Sequence, residues 1–295
     1  MRPRIIIALL LVLAIGAAAA AALGYYWLTA PPTFANPRDV TIEKGESFRS
    51  VARKLEASGV VRSAIAMTLY GQFTGAGRRI KPGEYEFKGG ELIPEVMHHL
   101  TAGDFMVVTV VIPEGLTIHQ IAERLETAGL VCQGDFEDAA RGGAVVRALG
   151  LMPLGAEGYL FPATYHFAPH ASVDDVLTAM LARFFHVLTP QVETRMFDLE
   201  LTTRQMVTMA SIVEKEAKVP GERPLIAGVF YNRLRLGMPL QSDPTAEYSL
   251  DGTVDKAAEA VRTPSAFNTY EIAGLPPGPI ANPGLNSIDA ALYPE

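Results

Sequence analysis

The hydrophobic pattern begins with one long apolar run at the N-terminus. Arg2 and Arg4 precede an uncharged stretch from Ile5 to Ala30. As a helix that rises about 1.5 Å per residue, this stretch exceeds the roughly 30 Å hydrocarbon core of a bilayer. It predicts a single-pass anchor at residues 5–30, with residues 1–4 in the cytoplasm and the rest of the chain outside the inner membrane. A run of alanines within the stretch leaves a cleaved signal peptide as the alternative.

Two later segments repeat each other at an offset of 70 residues. Residues 41–61 resemble residues 111–131, with apolar, glutamate and glycine positions in register. Each copy predicts a strand, then a helix capped by Ser47 or Thr117, then a short strand beyond the glycine that ends the helix.

The first copy resembles part of a LysM-type module, a small fold that binds the N-acetylated glycans of cell walls and chitin. We assign residues 31–103 to this module, and the alternative is that both copies are scaffold in which helices pack on a sheet. Gly83–Phe87 alternates as a strand does. The basic residues Arg78, Arg79 and Lys81 indicate a solvated turn, with contact to an anionic polymer as the alternative.

The pattern becomes mainly helical after about residue 135. Capping and helix-starting residues place helices from Asp135, Ser172, Thr203 and Pro224. Residues 238–295 are rich in proline and glycine, which predicts long loops. The fold class is therefore α+β: a single N-terminal transmembrane helix, a small LysM-like strand-helix-strand module, and a mixed α/β domain at residues 104–295 with long Pro/Gly-rich loops.

Composition and charge narrow the classes of function. Of 295 residues, 49% are hydrophobic and 19% charged, which excludes a mainly disordered chain. Twenty-five basic against thirty-two acidic residues give a net charge of −7, and no basic cluster follows the N-terminus, so no nucleic-acid partner is expected. Cys132 is the single cysteine, and no metal-ligand spacing is present, so neither a metal nor a cofactor is expected.

One carboxylate is a candidate for acid–base chemistry. Glu157 lies at the edge of the aromatic, nearly uncharged segment Glu157–Phe167. Desolvation beside apolar rings raises the pKa of a carboxyl, as a general acid near neutral pH requires. The alternative is an ordinary loop glutamate before a buried strand.

Several polar residues on helix ends and stiff loops suit the recognition of a sugar. Amide and hydroxyl groups at fixed positions can bind the hydroxyl and acetamido groups of a glycan, and aromatic rings can pack on the faces of its pyranose rings. For Glu214 the alternative is a surface ion pair with Lys218. The candidate substrate-binding residues are Glu214, Asn232, Gln241, Asp243, Asn268 and Tyr270.

Four long blocks carry a resemblance to a known family. They are EGYLFPATYHF at Glu157–Phe167, MASIVEKEA at Met209–Ala217, FYNRLRLGMPLQSDPTAEY at Phe230–Tyr248, and SAFNTYEIAGLPPGPIANPGLNSIDAAL at Ser265–Leu292. In this order, behind one apolar helix and a LysM-like segment, they resemble the endolytic murein transglycosylases, the MltG or YceG-like proteins. Members of this family continue with a strand and a Gly-Gly-His-containing turn, so the resemblance implies a catalytic domain that extends beyond Glu295.

The resemblance implies an activity and a mechanism. Lytic transglycosylases of this family cleave the β-1,4 bond between N-acetylmuramic acid and N-acetylglucosamine inside glycan strands and leave a 1,6-anhydro-muramyl end. Glu157 matches the catalytic glutamate and would act first as acid and then as base. Two alternatives remain. One is a hydrolytic muramidase-type glycosidase with Glu214 or Asp243 as base, and the other is a non-catalytic wall-binding adapter.

The resemblance and the apolar run together imply location and partners. The expected partners are peptidoglycan glycan strands, the membrane through the N-terminal helix, and peptidoglycan synthases. The expected location is the inner membrane, with the catalytic domain facing the periplasm.

Overall fold

The computed structural model describes residues 30–248, 250 and 257–295, with four isolated positions before them (12, 15, 16 and 18). The predicted anchor at residues 5–30 lies almost entirely outside the described residues, so it stays a prediction. Among the helices that are described, none has the length and apolar character needed to cross a membrane. The chain divides into two compact units, with the boundary between Val107 and Val108.

The first unit is a two-stranded sheet covered by helices. Its strands run antiparallel, with Val40 opposite Tyr85. Both of these residues are buried, because alternate strand positions face the helices. The elements in chain order are β1 (Arg38–Ile42), α1 (Phe48–Ala57), α2 (Ala64–Phe73), a 3-10 turn (Ala76–Arg78), β2 (Gly83–Phe87) and α3 (Ile93–Ala102).

The second unit begins with a similar succession and continues with helices. Its two strands are antiparallel, with Val110 opposite Tyr165. The long helix α9 is central to the core, and its residues 206–213 are all buried. The elements are β3 (Val108–Ile112), α4 (Ile118–Thr127), α5 (Gln133–Gly142), α6 (Ala144–Ala148), β4 (Ala163–Phe167), α7 (Val173–Phe185), α8 (Pro190–Asp198), α9 (Thr203–Glu216), α10 (Arg223–Arg235), α11 (Asp243–Tyr248), α12 (Ala257–Ala260) and α13 (Leu285–Leu292).

The internal duplication extends further than the sequence repeat indicates. Helices α2 and α5 correspond at an offset of 69 residues in the sequence, so buried Met67 in the first corresponds to buried Phe136 in the second. Strands β2 and β4 also correspond, since each ends in a stacked Tyr–Phe pair, with ring centroids 6.3 Å apart in the first unit and 5.6 Å in the second. Each unit therefore contains a strand-helix-helix-strand motif followed by a further helix.

The two copies differ in the connection that leads into their second strand. In the first unit, residues 74–82 join α2 to β2. In the second, the longer segment 143–162 joins α5 to β4, and it contains both α6 and Glu157. The candidate catalytic carboxylate thus belongs to an insertion that only the second copy has.

The short strand predicted directly after each repeat helix is wrong. In both units a turn leads instead into a second helix. The carboxylate of Glu56 accepts a hydrogen bond from the N–H of Ala64, and that of Glu126 accepts one from the N–H of Gln133, both at 3.0 Å. A carboxylate at this place satisfies an N–H group that a helix start leaves without a partner, so helix is favoured over strand.

Most predicted helix starts are confirmed. Ser47, Thr117 and Ser172 each cap a helix, and the last two form capping boxes. The start predicted at Asp135 is wrong, because α5 begins at Gln133 and Asp135 lies in its first turn. There the carboxylate still favours the positive end of the helix dipole, which explains why the pattern resembled a cap.

The leucines at equivalent places in the two copies test the two cores. Leu55 and Leu125 are fully buried. Truncation of either to alanine leaves a cavity, so we expect Leu55→Ala and Leu125→Ala each to lower the free energy of unfolding by about 2–5 kcal/mol in urea titrations. Leu225, which is exposed on α10, is the control. Leu225→Ala should change the free energy of unfolding by less than about 0.5 kcal/mol. Equal losses of stability in all three variants would contradict the assignment of the cores.

Candidate active site

Glu157 is buried in the wall of an open cavity. The side chain is 6% exposed and lies in a turn after α6. Gly158 follows with a φ of +85°, and a Cβ there would lie 2.5 Å from Pro279 and 2.7 Å from Val207. Only glycine fits this backbone and this close approach, so Gly158 fixes the turn that presents the carboxylate.

Three groups donate hydrogen bonds to the carboxylate. The N–H of Ile118, in the first turn of α4, lies 3.1 Å from Oε1 and 3.2 Å from Oε2. The amide of Asn282 donates to Oε1 at 2.9 Å, and the hydroxyl of Tyr248 donates to Oε2 at 3.1 Å. Because the N-terminus of a helix carries partial positive charge, α4 also favours the ionised form.

Burial and these donors act on the pKa of Glu157 in opposite directions. Removal from water raises this pKa, whereas hydrogen bonds from Ile118, Tyr248 and Asn282 and the charge of Arg141 lower it. Burial has the larger effect, and the resulting pKa is about 7 instead of 4.5. A carboxyl with this pKa is populated in both protonation states near neutral pH. It can therefore give up a proton and take one back, as a general acid and base must.

Asn282 is held in place by every polar group it has. Its side-chain oxygen accepts from the N–H of Leu160 at 2.8 Å, and its amide nitrogen also donates to the carbonyl of Leu116 at 2.9 Å. The backbone of Asn282 exchanges two more hydrogen bonds with the loop before α4, through Gly115 and Leu116. A fully buried, fully paired amide of this kind fixes the distance between the two loops and Glu157.

The cavity beside Glu157 has a volume of about 480 Å³. Polar and aromatic groups share its wall, which suits a sugar ring with hydroxyl groups. Arg141 and His119 lie on this wall and both contact the carboxylate of Glu137, at 2.7 and 2.9 Å. The lining residues are Thr117, Ile118, His119, Arg141, Pro153, Leu154, Glu157, Tyr248, Ser265, Ala266 and Phe267.

The six predicted substrate-binding residues do not line this cavity or contact Glu157. The side chain of Glu214 is 6% exposed and accepts hydrogen bonds from Arg223 at 2.9 Å and from the N–H of Gly284 at 3.0 Å. It therefore steadies the loop that carries Asn282. Asn232 is exposed on α10 and accepts from Arg235. The alternative surface pair of Glu214 with Lys218 does not describe the geometry, because Arg223 takes that place.

Three of the other four predicted residues join two loops, and Asn268 holds one of these loops together. The hydroxyl of Tyr270 donates to Asp243 at 2.6 Å, and this bond raises the pKa of Tyr270 to about 12. The backbone N–H of Gln241 donates to the carbonyl of Thr269. Asn268 is buried and donates to the carbonyls of Val261 and Thr263.

A buried cluster of hydroxyl groups continues this connection. Thr245 and Thr269 share a hydrogen bond of 2.7 Å, and the N–H of Ser242 donates to Thr269 at 3.0 Å. The two loops joined in this way deliver Tyr248 and Phe267 to the cavity, where their rings lie 4.9 Å apart. Gln241, Asp243 and Tyr270 thus help to position the side chains that face the cavity.

Sequence reasoning missed Tyr248, Asn282 and the N–H of Ile118. Tyr248 and Asn282 lie inside the quoted blocks, at the end of AEY and in IANPG. Both contact Glu157 across long separations in sequence, of 91 and 125 residues. The asparagine between apolar residues in IANPG was the available signal, because a buried amide needs partners.

Comparison with known proteins places this chain in a family. The chain matches the YceG-like family over residues 40–295. An endolytic murein transglycosylase of Bacillus subtilis (strain 168) is 32% identical over 280 residues, which cover 87% of this chain and 76% of that relative. An endolytic murein transglycosylase of Streptococcus pneumoniae serotype 2 is 30% identical over 289 residues, 86% of this chain, and the match spans 51% of the length of that relative.

A solved structure agrees with these relatives. The crystal structure of a YceG-like protein from Listeria monocytogenes has a TM-score of 0.60 and is 31% identical. The similarity covers 88% of this chain and 90% of that one. The family predicted from the four sequence blocks is confirmed, and the enzyme class predicted from them is the class of the curated relatives: this chain belongs to the YceG-like family.

Proposed function

We propose that the protein is an endolytic lytic transglycosylase of peptidoglycan. It cleaves the β-1,4 bond between N-acetylmuramic acid and N-acetylglucosamine within glycan strands and leaves 1,6-anhydro-muramyl ends. The observation that carries this proposal is Glu157, a buried carboxyl with a pKa of about 7 in the wall of a sugar-sized cavity. The curated relatives named endolytic murein transglycosylase support the choice of substrate.

In the first step, Glu157 acts as the general acid. Its proton passes to the oxygen between the two sugars, and the bond from that oxygen to C1 of the muramic acid breaks. The leaving sugar departs with a free 4-hydroxyl, and positive charge develops at C1 as in other glycosidic cleavages. Ile118, Asn282 and Tyr248 then stabilise the carboxylate that Glu157 has become.

In the second step, the same carboxylate acts as the general base. The C6 hydroxyl of the muramic acid attacks C1 and closes the 1,6-anhydro ring. Its proton passes to Glu157, which regains the protonated form without the entry of water. One carboxyl is enough for this cycle because it gives and receives a proton in turn.

The placement of the other carboxylates favours this cycle over hydrolysis. Among the described residues that line the cavity, Glu157 is the sole carboxylate. Glu214 pairs with Arg223, and Asp243 accepts a hydrogen bond from Tyr270. A hydrolytic pair needs two carboxyl groups on opposite sides of the scissile bond, about 5–9.5 Å apart, and neither residue occupies such a place in the wall.

The proposed location follows from the N-terminal sequence. A single-pass anchor at residues 5–30 would hold the catalytic unit on the periplasmic side of the inner membrane, beside newly made glycan. Peptidoglycan synthases are the proposed partners there. A non-catalytic adapter is the second candidate, and the absence of any product from intact peptidoglycan would favour it.

Replacement of the acid tests the proposed reaction. Glu157→Gln keeps the shape of the side chain and removes the transferable proton, so we expect release of anhydro-muropeptides to fall by about 10²-fold or more. Mass spectrometry of digested peptidoglycan measures the product, and a product heavier by one water would identify hydrolysis instead. Glu123→Gln, on the exposed face of α4, is the control and should retain activity. Full activity of Glu157→Gln would refute the proposal.

The hydroxyl of Tyr248 should set the pH dependence. It donates to the ionised carboxylate and so lowers the pKa of Glu157. Activity should decline as pH rises through about 7, where the acid loses its proton. In Tyr248→Phe this decline in kcat/KM should move to higher pH. Tyr231→Phe removes a tyrosine hydroxyl that donates to Ala291 on α13 and should leave the profile in place.

The raised pKa of Glu157 should also appear in the stability of the fold. A carboxyl whose pKa is higher in the folded than in the unfolded protein stabilises the fold below about 4.5, and this contribution is lost as pH rises through about 7. The loss amounts to about 3 kcal/mol at most, since one pKa unit corresponds to about 1.4 kcal/mol. Urea unfolding of wild type and Glu157→Gln at about pH 4 and about pH 8 measures it. The variant should lack this loss. If the free energies of unfolding of both proteins changed equally between the two pH values, the pKa of the carboxyl would not be raised in the fold.

A further inference from the structure

Helix α2 presents an apolar face to solvent. Ile65, Leu69 and Phe73 are 74%, 61% and 94% exposed. They follow one another at intervals of four residues, so they lie in one line along the outer side of the helix. Large apolar side chains that are this exposed and contiguous usually mark a surface that contacts something else.

The second unit shows that the fold does not require this face. Helix α5 is the counterpart of α2, and its inward positions are equally apolar, with Phe136 in the place of Met67. Its outward positions differ, because Gly134, Asp138 and Gly142 stand where α2 has its three large apolar residues. Helix α5 packs in the equivalent place without an apolar outer face, so packing of the fold does not explain the apolar face on α2.

Two arginines flank the apolar line. Arg49 and Arg53 lie one turn apart on α1 and are both exposed. With Ile65 and Leu69 they line a groove of about 350 Å³, together with Ala64, Thr68 and Gln72. Guanidinium groups bind phosphate well, and aliphatic and aromatic side chains enter the boundary between headgroups and acyl chains.

The charges of the two units point to the same partner. Residues 31–107 carry ten basic and nine acidic residues, whereas residues 108–295 carry thirteen basic and twenty-three acidic ones. An anionic surface would repel the second unit, with a net charge of −10, and would not repel the first, with +1. The arginines beside α2 then give the first unit one face that such a surface attracts.

The chain that precedes the first unit is short. Only residues 31–37 separate the predicted anchor from β1. Fully extended at about 3.5 Å per residue, the eight steps from Ala30 to Arg38 reach about 28 Å at most. If the anchor spans the membrane, this unit stays close to the lipid surface.

We propose that the outer face of α2, with Arg49 and Arg53, docks on a membrane surface that contains anionic lipids. The chemistry of the face carries this proposal, and the proposed anchor supplies only proximity. Docking would turn the side of the first unit that carries α1 and α2 toward the membrane. The groove would therefore take lipid headgroups and not a glycan.

Fluorescent labels at equivalent places of the two helices test this docking. In the full chain with Cys132→Ser, Leu69→Cys is labelled with an environment-sensitive fluorophore. The protein is reconstituted in phosphatidylcholine vesicles that contain phosphatidylglycerol and nitroxide-labelled lipid. Asp138→Cys in the same background is the matched control on α5. We expect quenching at position 69 and none at position 138. Arg49→Gln should lower the ratio of protein with α2 docked on the lipid to protein with α2 undocked about five-fold, as should Arg53→Gln.

The possible outcomes separate this proposal from the others. Equal exposure to water at positions 69 and 138 would overturn it, as would quenching that is the same without phosphatidylglycerol. Protection of position 69 by soluble glycan strands and not by lipid would overturn it in favour of glycan binding. Flotation of the vesicles reports separately on the anchor, and anhydro-muropeptide release reports separately on the enzyme.

Discussion

The hydrogen bonds that converge on the carboxylate of Glu157 are the constraint on which the second unit depends. A buried carboxyl must have partners, and here they come from three distant parts of the chain: the start of α4, the end of α11 and the loop before α13. Asn282, in the loop before α13, also bonds Leu116 beside the start of α4 and Leu160 in the segment of Glu157 itself. The site and the packing of the loops are therefore one structure.

The duplication explains where this structure is built. In both units two successive helices follow the first strand and a later strand pairs antiparallel with it, so the motif alone provides no chemistry. The second unit adds the longer segment 143–162, which brings a carboxylate to the N-terminus of α4. The first unit keeps the short connection and carries large apolar residues on α2. From one motif, each copy has acquired a different exposed surface.

The sequence predicted what depends on local pattern and missed what depends on long-range contact. The caps at Ser47 and Thr117 are local signals, and so is an acid before a run of aromatic residues, which made Glu157 a candidate. Its catalytic role was implied only by the resemblance to the family. Tyr248 and Asn282 could not be found, because their partner is far away in the sequence. Asp243 and Tyr270 resembled sugar-binding groups, but their side chains bind each other. The strand expected after each repeat helix failed because a glutamate in that helix holds the start of the next one.

The proposed chemistry needs a carboxyl whose protonated and ionised forms are close in free energy. Burial alone would keep Glu157 protonated and make it a poor base, whereas the donors alone would keep it ionised and make it a poor acid. Their balance gives a pKa of about 7, and it depends on where each loop places its donor. Glu214 fixes the loop of Asn282 through Gly284, and the cluster of Ser242, Thr245 and Thr269 fixes the loops that deliver Tyr248. Residues that do not line the cavity thus affect the pKa of Glu157, because a donor that moves by a fraction of an ångström no longer offsets burial to the same degree.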